Sequence, residues 1–237
     1  MLASDLVYAM AAALLLPALA WRDRARRGYA LLFVALLALY LLLPAFAGPL
    51  HAPVPLPDAT WTAAPWLRQA VTLVLLGVAA LWLVRTLGFT RAELGLTLAQ
   101  RPGSLVPCVV VALMAVAANY AVSSLSSFRL PPVPLEVWLY QATAPGLVEE
   151  LAFRGLLLAL ADRAMPPARS LAGAQLGWGA LVVTLVFWAL HGFSLGTALG
   201  VLPAALLYVW LRARSGSLLW PVLAHNLWNL SVLAAHL

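Results

Sequence analysis

Three ionisable side chains lie close together in an apolar stretch, GLVEELAFRG at residues 146–155. Glu150 and Arg154 are four residues apart, so on an α-helix they share a face and can form an ion pair. Glu149 is rotated from Glu150 by about 100° and points toward a neighbouring helix. A charged residue at the centre of a bilayer costs about 2.5–3.5 kcal/mol. The three residues are therefore candidates for function.

Other polar residues lie in apolar stretches further along the chain. His191 ends the stretch FWALH, and His225 and Asn229 share one helical face in HNLWN. A single intramembrane histidine or asparagine more often makes an interhelical hydrogen bond, and Asn119 and Asn226 are interpreted in this way. A carboxylate outside the ion pair, together with two imidazoles on different helices, instead favours acid–base chemistry.

The composition explains why these residues are unusual. The chain has 237 residues, of which 64% are hydrophobic and only 9% charged, and its mean hydropathy is +0.96. Soluble domains have about 25% charged residues, so the sequence predicts a polytopic membrane protein. The basic residues are all arginines in short clusters between apolar stretches, a pattern of membrane topology rather than nucleic-acid binding. No nucleic-acid partner is expected.

Eight apolar stretches are long enough to be predicted as membrane helices. The first is interpreted as a retained helix rather than a cleaved signal, because Asp5 lies within it and basic residues follow it. The sequence therefore predicts an all-α, polytopic transmembrane bundle of about eight helices. The predicted helices are 4–21, 29–47, 66–87, 104–122, 137–160, 173–192, 196–212 and 218–236.

The arginines alternate between the predicted loops. The loops after the first, third, fifth and seventh helices are rich in arginine, whereas the other loops hold only Arg68 and Arg129. The positive-inside bias places the arginine-rich loops in the cytoplasm, so both termini are predicted to lie outside. We expect an integral protein of a bacterial inner membrane. The arginines of the rich loops are Arg22, Arg24, Arg26, Arg27, Arg85, Arg91, Arg101, Arg163, Arg169, Arg212 and Arg214.

Three motifs follow one another along the chain: E-E-x-x-x-R at 149–154, F-x-x-x-H at 187–191 and H-x-x-x-N at 225–229. Their order in a polytopic protein resembles the CPBP intramembrane proteases. That superfamily includes the CAAX prenyl endopeptidases and bacterial proteins tied to bacteriocin immunity. The resemblance covers residues 137–236, which we interpret as the catalytic core. Residues 1–123 carry no recognised motif and are interpreted as N-terminal transmembrane helices.

The resemblance implies a glutamate-dependent endopeptidase that hydrolyses a peptide bond in or near the membrane. Glu149 would act as general base on a water held with His191 or His225. Asn229, one turn beyond His225, would donate to the oxyanion that forms on the attacked carbonyl. The catalytic residues implied by the resemblance would thus need no serine or cysteine nucleophile.

Glu150 and Arg154 complete the candidate site. Arg154 would keep Glu150 ionised and fix the rotation of the helix, although the two glutamates could exchange roles. No cofactor is expected. Zinc is the alternative, because two histidines and a glutamate match its three protein ligands. Metal-free catalysis is preferred, since there is no H-E-x-x-H motif and the arginine charge opposes a cation.

Membrane lipid and a membrane-anchored protein or peptide substrate are the expected partners. The resemblance allows trimming of C-terminal anchors of surface proteins, as in the myxosortase-like branch, or processing of peptides such as bacteriocins. The alternatives are a proton-coupled transporter, for which no internal repeat is evident, and a catalytically idle scaffold.

The predicted boundaries conflict with this site. They place His225 in the inner third of the bilayer, Glu149 near its middle and His191 close to the outer surface, where the three side chains cannot meet. We therefore expect the sixth helix to begin later than 173, near Trp178. The stretch PPARSLAGAQLG at 166–177 would then be a non-spanning segment.

Overall fold

The computed structural model describes residues 3–47, 63–192 and 194–237. The described chain is mostly helical with one short hairpin, which confirms the predicted all-α membrane bundle. Residues 144–164 form one continuous helix, here called the glutamate helix, which consists of α6, a π-helical segment and α7. The elements are α1 Ala3–Leu19, α2 Arg24–Ala47, α3 Ala63–Leu87, α4 Leu105–Ser124, α5 Leu135–Gln141, α6 Ala144–Glu150, the π-helical segment Leu151–Leu157, α7 Leu158–Ala164, β1 Arg169–Leu171, β2 Ala174–Leu176, α8 Trp178–Leu190, α9 Leu195–Ser215 and α10 Leu219–Ala235.

Among the described residues, four helices are both long and apolar enough to cross a membrane by length and composition. α1 and α8 are apolar but shorter, and the glutamate helix carries the charged residues. The candidate spans are Arg24–Leu42, Pro65–Leu87, Leu105–Ser124 and Leu195–Ser215.

The predicted fifth helix, 137–160, is divided in the structure. α5 ends at Gln141, and Thr143 has a non-helical backbone with φ −135° and ψ −66°. Pro145 explains the break, because it has no N–H to bond the carbonyl of Gln141 in a continuous helix but is well tolerated in the first turn of a new helix. The glutamates therefore lie near the start of a new helix rather than in the middle of a long one.

The sixth predicted helix begins at Trp178, as the depth conflict required, and not at 173. Residues before it form a small antiparallel hairpin in which Leu171 pairs with Ala174. Both turn residues, Ala172 and Gly173, have positive φ, 48° and 80°, as a two-residue type I′ turn requires. The hairpin shortens α8 to 13 residues.

The glutamate helix lies at the centre of the bundle. It contacts α2, α3, α8, α9 and α10, and every residue of its π-helical segment is buried. Protein rather than lipid therefore surrounds its charged side chains, which lowers the cost of placing them at membrane depth.

The loops that are rich in arginine meet at one end of the bundle, here called the arginine end. Arg163 donates to Glu93 and to backbone carbonyls that follow α3. Arg212 donates to the carbonyls of Ala92 and Glu93, and Arg101 donates to that of Ala213. These contacts tie the loop between α3 and α4 to the ends of α7 and α9.

Candidate active site

The predicted ion pair is present and fully buried. Arg154 Nη1 lies 3.0 Å from Glu150 Oε1, and both side chains are 0% exposed. The guanidinium also donates through Nη2 to the carbonyl of Ala205, and its carbon lies 4.2 Å from the ring centre of Phe187. The arginine charge is thus neutralised by one carboxylate and further stabilised by the face of an aromatic ring.

His225 joins the same carboxylate. Its Nδ1 lies 2.8 Å from Glu150 Oε1, and because an ionised carboxylate can only accept, Nδ1 is the donor. A neutral imidazole held in this way carries no hydrogen on Nε2. Tyr208 on α9 stacks on the histidine ring, with centroids 5.0 Å apart and an interplanar angle of 10°, and so fixes the ring plane.

His191 is held in a corresponding way from α8. Its Nδ1 lies 2.8 Å from the carbonyl oxygen of Phe187, which can only accept, so the neutral ring again carries its hydrogen on Nδ1. The Phe187 ring packs against the imidazole with centroids 4.5 Å apart. Both histidines therefore turn Nε2 toward Glu149.

Glu149 is the residue on which these two rings converge. Its Oε2 lies 3.9 Å from Nε2 of His191 and also 3.9 Å from Nε2 of His225. That oxygen is buried and accepts no hydrogen bond from any described residue. A separation of 3.9 Å is too long for a direct hydrogen bond. All three atoms accept, so one water with its two hydrogens could bridge Glu149 Oε2 and either Nε2.

The helix lengths explain how the three side chains reach one depth. α8 has 13 residues and is about 20 Å long, so His191 lies well short of the far side of a hydrocarbon core about 30 Å thick. Glu149 lies at a similar distance, about 20 Å, from the end of α7. The predicted position of His191 near the outer surface was wrong because the first residues of the predicted helix form part of the hairpin instead.

The predicted depth of His225 was wrong for a different reason. α10 begins beside the middle of the glutamate helix, since a Cβ placed on Gly155 would lie 3.4 Å both from a Leu218 methyl group and from the carbonyl oxygen of Leu94. The loop after α3 thus packs inside the bundle, and the start of α10 lies beside the middle of the glutamate helix rather than beside its end. His225 then lies about 9 Å further along, level with the glutamates.

Asn229 is the predicted residue that the structure does not connect to the others. It is half-buried on α10, one turn beyond His225, and makes no hydrogen bond that the structure records among the described residues. The role predicted for it as an oxyanion donor stays a prediction.

Asn226 has a contact that sequence reasoning assigned only to helix packing. Its Oδ1 accepts from the backbone N–H of Gly146 at 3.0 Å, and its Nδ2 donates to the carbonyl of Thr143. The side chain from α10 thus caps the first turn of α6. Gly146 permits this approach, because a Cβ there would overlap Asn226 Oδ1.

Tyr208 and Asn226 are the additions that the structure makes to the predicted site. A tyrosine in an apolar stretch carries no sequence signal that separates it from an ordinary membrane aromatic. Asn226 directly follows His225 in the sequence, so its position next to a motif residue was the available signal.

The family comparison bears on the half of the chain that carries these residues. Residues 131–231 match the model of a family described as type II CAAX prenyl endopeptidase Rce1-like. All three motifs lie inside the match, and the resemblance to the CPBP proteases is confirmed. The family indicates a membrane protease that acts on a peptide or protein. No curated protein and no solved structure matches the chain.

Proposed function

We propose that the protein is a glutamate-dependent intramembrane endopeptidase that cleaves a membrane-anchored protein or peptide. The observation that carries this proposal is the position of Glu149 Oε2, buried, without a hydrogen-bond partner among the described residues and 3.9 Å from two imidazole nitrogens. An unsatisfied buried carboxylate oxygen costs free energy, so a catalytic use accounts for its presence.

The reaction begins with a water bound between these three atoms. The water donates one hydrogen to Glu149 and the other to Nε2 of a histidine, which leaves a lone pair directed at the substrate carbonyl. As the oxygen attacks, Glu149 takes the first proton. That proton is then given to the leaving amine when the C–N bond breaks. The Nε2 of the second histidine can accept a hydrogen bond from the new hydroxyl group of the tetrahedral intermediate.

Glu150 and Arg154 act through His225. The Glu150 carboxylate accepts the Nδ1 hydrogen of His225 at 2.8 Å, which fixes Nε2 toward the water. Arg154 keeps that carboxylate ionised in a buried place. Glu149 is therefore proposed as the base and Glu150 as the group that positions His225.

Asn229 is proposed as the donor to the oxyanion. Its support is its location one turn beyond His225 on the same face of α10 and its half-buried side chain. A single donor of this kind contributes about 10²–10³-fold to turnover in other hydrolases.

A metal is not part of the proposed mechanism. The buried guanidinium of Arg154 adds positive charge to the network that holds His225, and one carboxylate, Glu150, is already used by Arg154 and His225. Both features disfavour a divalent cation at the Nε2 atoms. Zinc remains the competing proposal, and removal of metal separates the two.

The proposed substrate is a protein with a C-terminal membrane anchor, in a bacterial inner membrane and with the arginine end in the cytoplasm. The arginine distribution supports this orientation. Processing of short membrane-active peptides is the second substrate class that the resemblance allows.

The test uses the full-length protein in lipid nanodiscs together with fluorescent peptides that end in a hydrophobic helix. Glu149→Gln should reduce cleavage by about 10²–10⁴-fold, the usual contribution of a general base. Glu136→Gln is the matched control, because the hydrogen bond that Glu136 makes among the described residues is one accepted from Trp66 at 3.0 Å, which glutamine can also accept. Full cleavage by Glu149→Gln would refute the mechanism, and loss of cleavage with a chelator alone would favour zinc.

A further inference from the structure

An apolar groove lies beside the second half of α3, outside the candidate active site. It has a volume of about 380 Å³, within the usual range of small-ligand sites. One wall is formed by the second half of α3, and the other by the following loop and the start of the π-helical segment. The apolar lining residues are Gly77, Ala80, Leu81, Val84, Leu96 and Leu151.

Gly77 keeps the groove open. A Cβ placed on this glycine would meet no atom within 4 Å, so the space beside it is unfilled. The groove lies along Pro65–Leu87, one of the four candidate membrane spans. Its shape and lining suit a hydrocarbon chain that lies parallel to the helix.

Two arginines stand at the end of the groove. Arg85, in the last turn of α3, and Arg91, in the following loop, both line it and are both exposed. Neither makes an ion pair or hydrogen bond with another residue in the described part of the chain. Glu93 does not neutralise them, because its carboxylate accepts from Thr90 and Arg163.

We propose that this groove binds one acyl chain of an anionic phospholipid, with the headgroup phosphate between Arg85 and Arg91. An apolar channel along a membrane helix that ends in two unneutralised cations is complementary to a chain that ends in an anion. Basic residues between membrane helices near the cytoplasmic face bind anionic headgroups in this way, and guanidinium matches phosphate geometry well. The proposal does not depend on the protease mechanism.

Native mass spectrometry of the full-length protein in detergent measures the binding. The protein is titrated with phosphatidylglycerol or with phosphatidylcholine that has identical acyl chains. Each arginine near an anionic headgroup contributes a factor of about five, so phosphatidylglycerol should bind about thirtyfold more tightly. Arg85→Gln/Arg91→Gln should abolish this preference.

The control and the groove variant test the location. Arg22→Gln/Arg24→Gln makes the same change of charge at exposed arginines of another loop and should keep the preference. Gly77→Leu fills the groove and should weaken binding of both lipids, while an unchanged melting temperature shows that the protein is folded.

Any of the following results would overturn the proposal. They are equal binding of the two lipids, a preference that survives loss of both Arg85 and Arg91, and unchanged lipid binding by Gly77→Leu. Competition by inorganic phosphate alone at a concentration comparable to that of the lipid would also overturn it, because the site would then be a phosphate site without a role for the acyl chain.

Discussion

Replacement of the two adjacent glutamates, one at a time, should separate chemistry from stability. Glu150→Gln removes the carboxylate paired with Arg154, whose side chain is 0% exposed. Breaking a buried ion pair by removing one partner costs about 3–5 kcal/mol. Glu149→Gln removes a carboxylate whose Oε2 makes no hydrogen bond with a described residue, so its effect on the free energy of unfolding should be below about 1 kcal/mol.

The assay is thermal unfolding of the purified protein in one detergent, followed by tryptophan fluorescence. For a chain of this size, each 1 kcal/mol lowers the melting temperature by about 2–4 °C. Glu150→Gln should therefore lower it by about 6–20 °C, and Glu149→Gln by no more than about 4 °C. Cleavage should fall in both variants, since Glu149 is the proposed base and Glu150 orients His225.

A third variant checks the electrostatic reason. In Glu150→Gln/Arg154→Met, no charge is left unpaired at this position, and such replacements of buried pairs are often neutral. Most of the lost melting temperature should return, while cleavage stays low. The reasoning would be refuted if Glu149→Gln destabilised the protein as much as Glu150→Gln, or if the double variant were less stable than Glu150→Gln alone.

Three further predictions follow from the packing and charge around the site. Gly146→Ala places a Cβ on Asn226 Oδ1 and should destabilise the protein by about 1–3 kcal/mol. A double variant that also carries Asn226→Ala should recover part of this stability. Thermal unfolding measures both variants. Tyr208→Phe keeps the ring that stacks on His225 and should retain the cleavage rate. Tyr208→Leu removes that ring and should lower kcat while KM stays unchanged. Equal kinetics for the two variants would contradict the role of Tyr208 in positioning His225. Burial raises the pKa of Asp162 at the arginine end from 3.8 to about 7, so the folded state loses stability as pH rises through this range. Between pH 4 and pH 8, Asp162→Asn should therefore gain up to about 4 kcal/mol of stability relative to the parent protein. A constant difference in melting temperature between the two proteins over that range would contradict this prediction.

The sequence was sufficient to predict the bundle and the polar residues that meet inside it. Apolar stretches and arginine clusters extend over many residues, so they are recognisable even when a predicted helix boundary is misplaced by a few residues. The spacing of Glu150 and Arg154 fixes their pairing on any helix, and the rotation of Glu149 away from that pair follows from the same geometry.

The boundaries could not be predicted because they depend on local backbone choices. Composition alone does not show that Ala172 and Gly173 adopt positive φ and turn an apolar stretch into a hairpin. The start of α10 depends on a tertiary contact, the packing of the loop after α3 against Gly155. Aromatic neighbours such as Tyr208 are set by the rotation of α9, which its nearly uniform apolar sequence does not specify.

The depth of the site has a consequence for the proposed substrate. Glu149 lies about 20 Å along the glutamate helix from the arginine end, in a hydrocarbon core about 30 Å thick. With the arginine end in the cytoplasm, as proposed, the reacting water lies in the outer half of the membrane. A C-terminal anchor that spans the bilayer would then be cut about 10 Å from its outer end, so about two helical turns must leave the helical form to expose a peptide bond. Cleavage there releases the extracellular part and leaves most of the anchor in the membrane, which favours a surface protein over a cytoplasmic one as substrate.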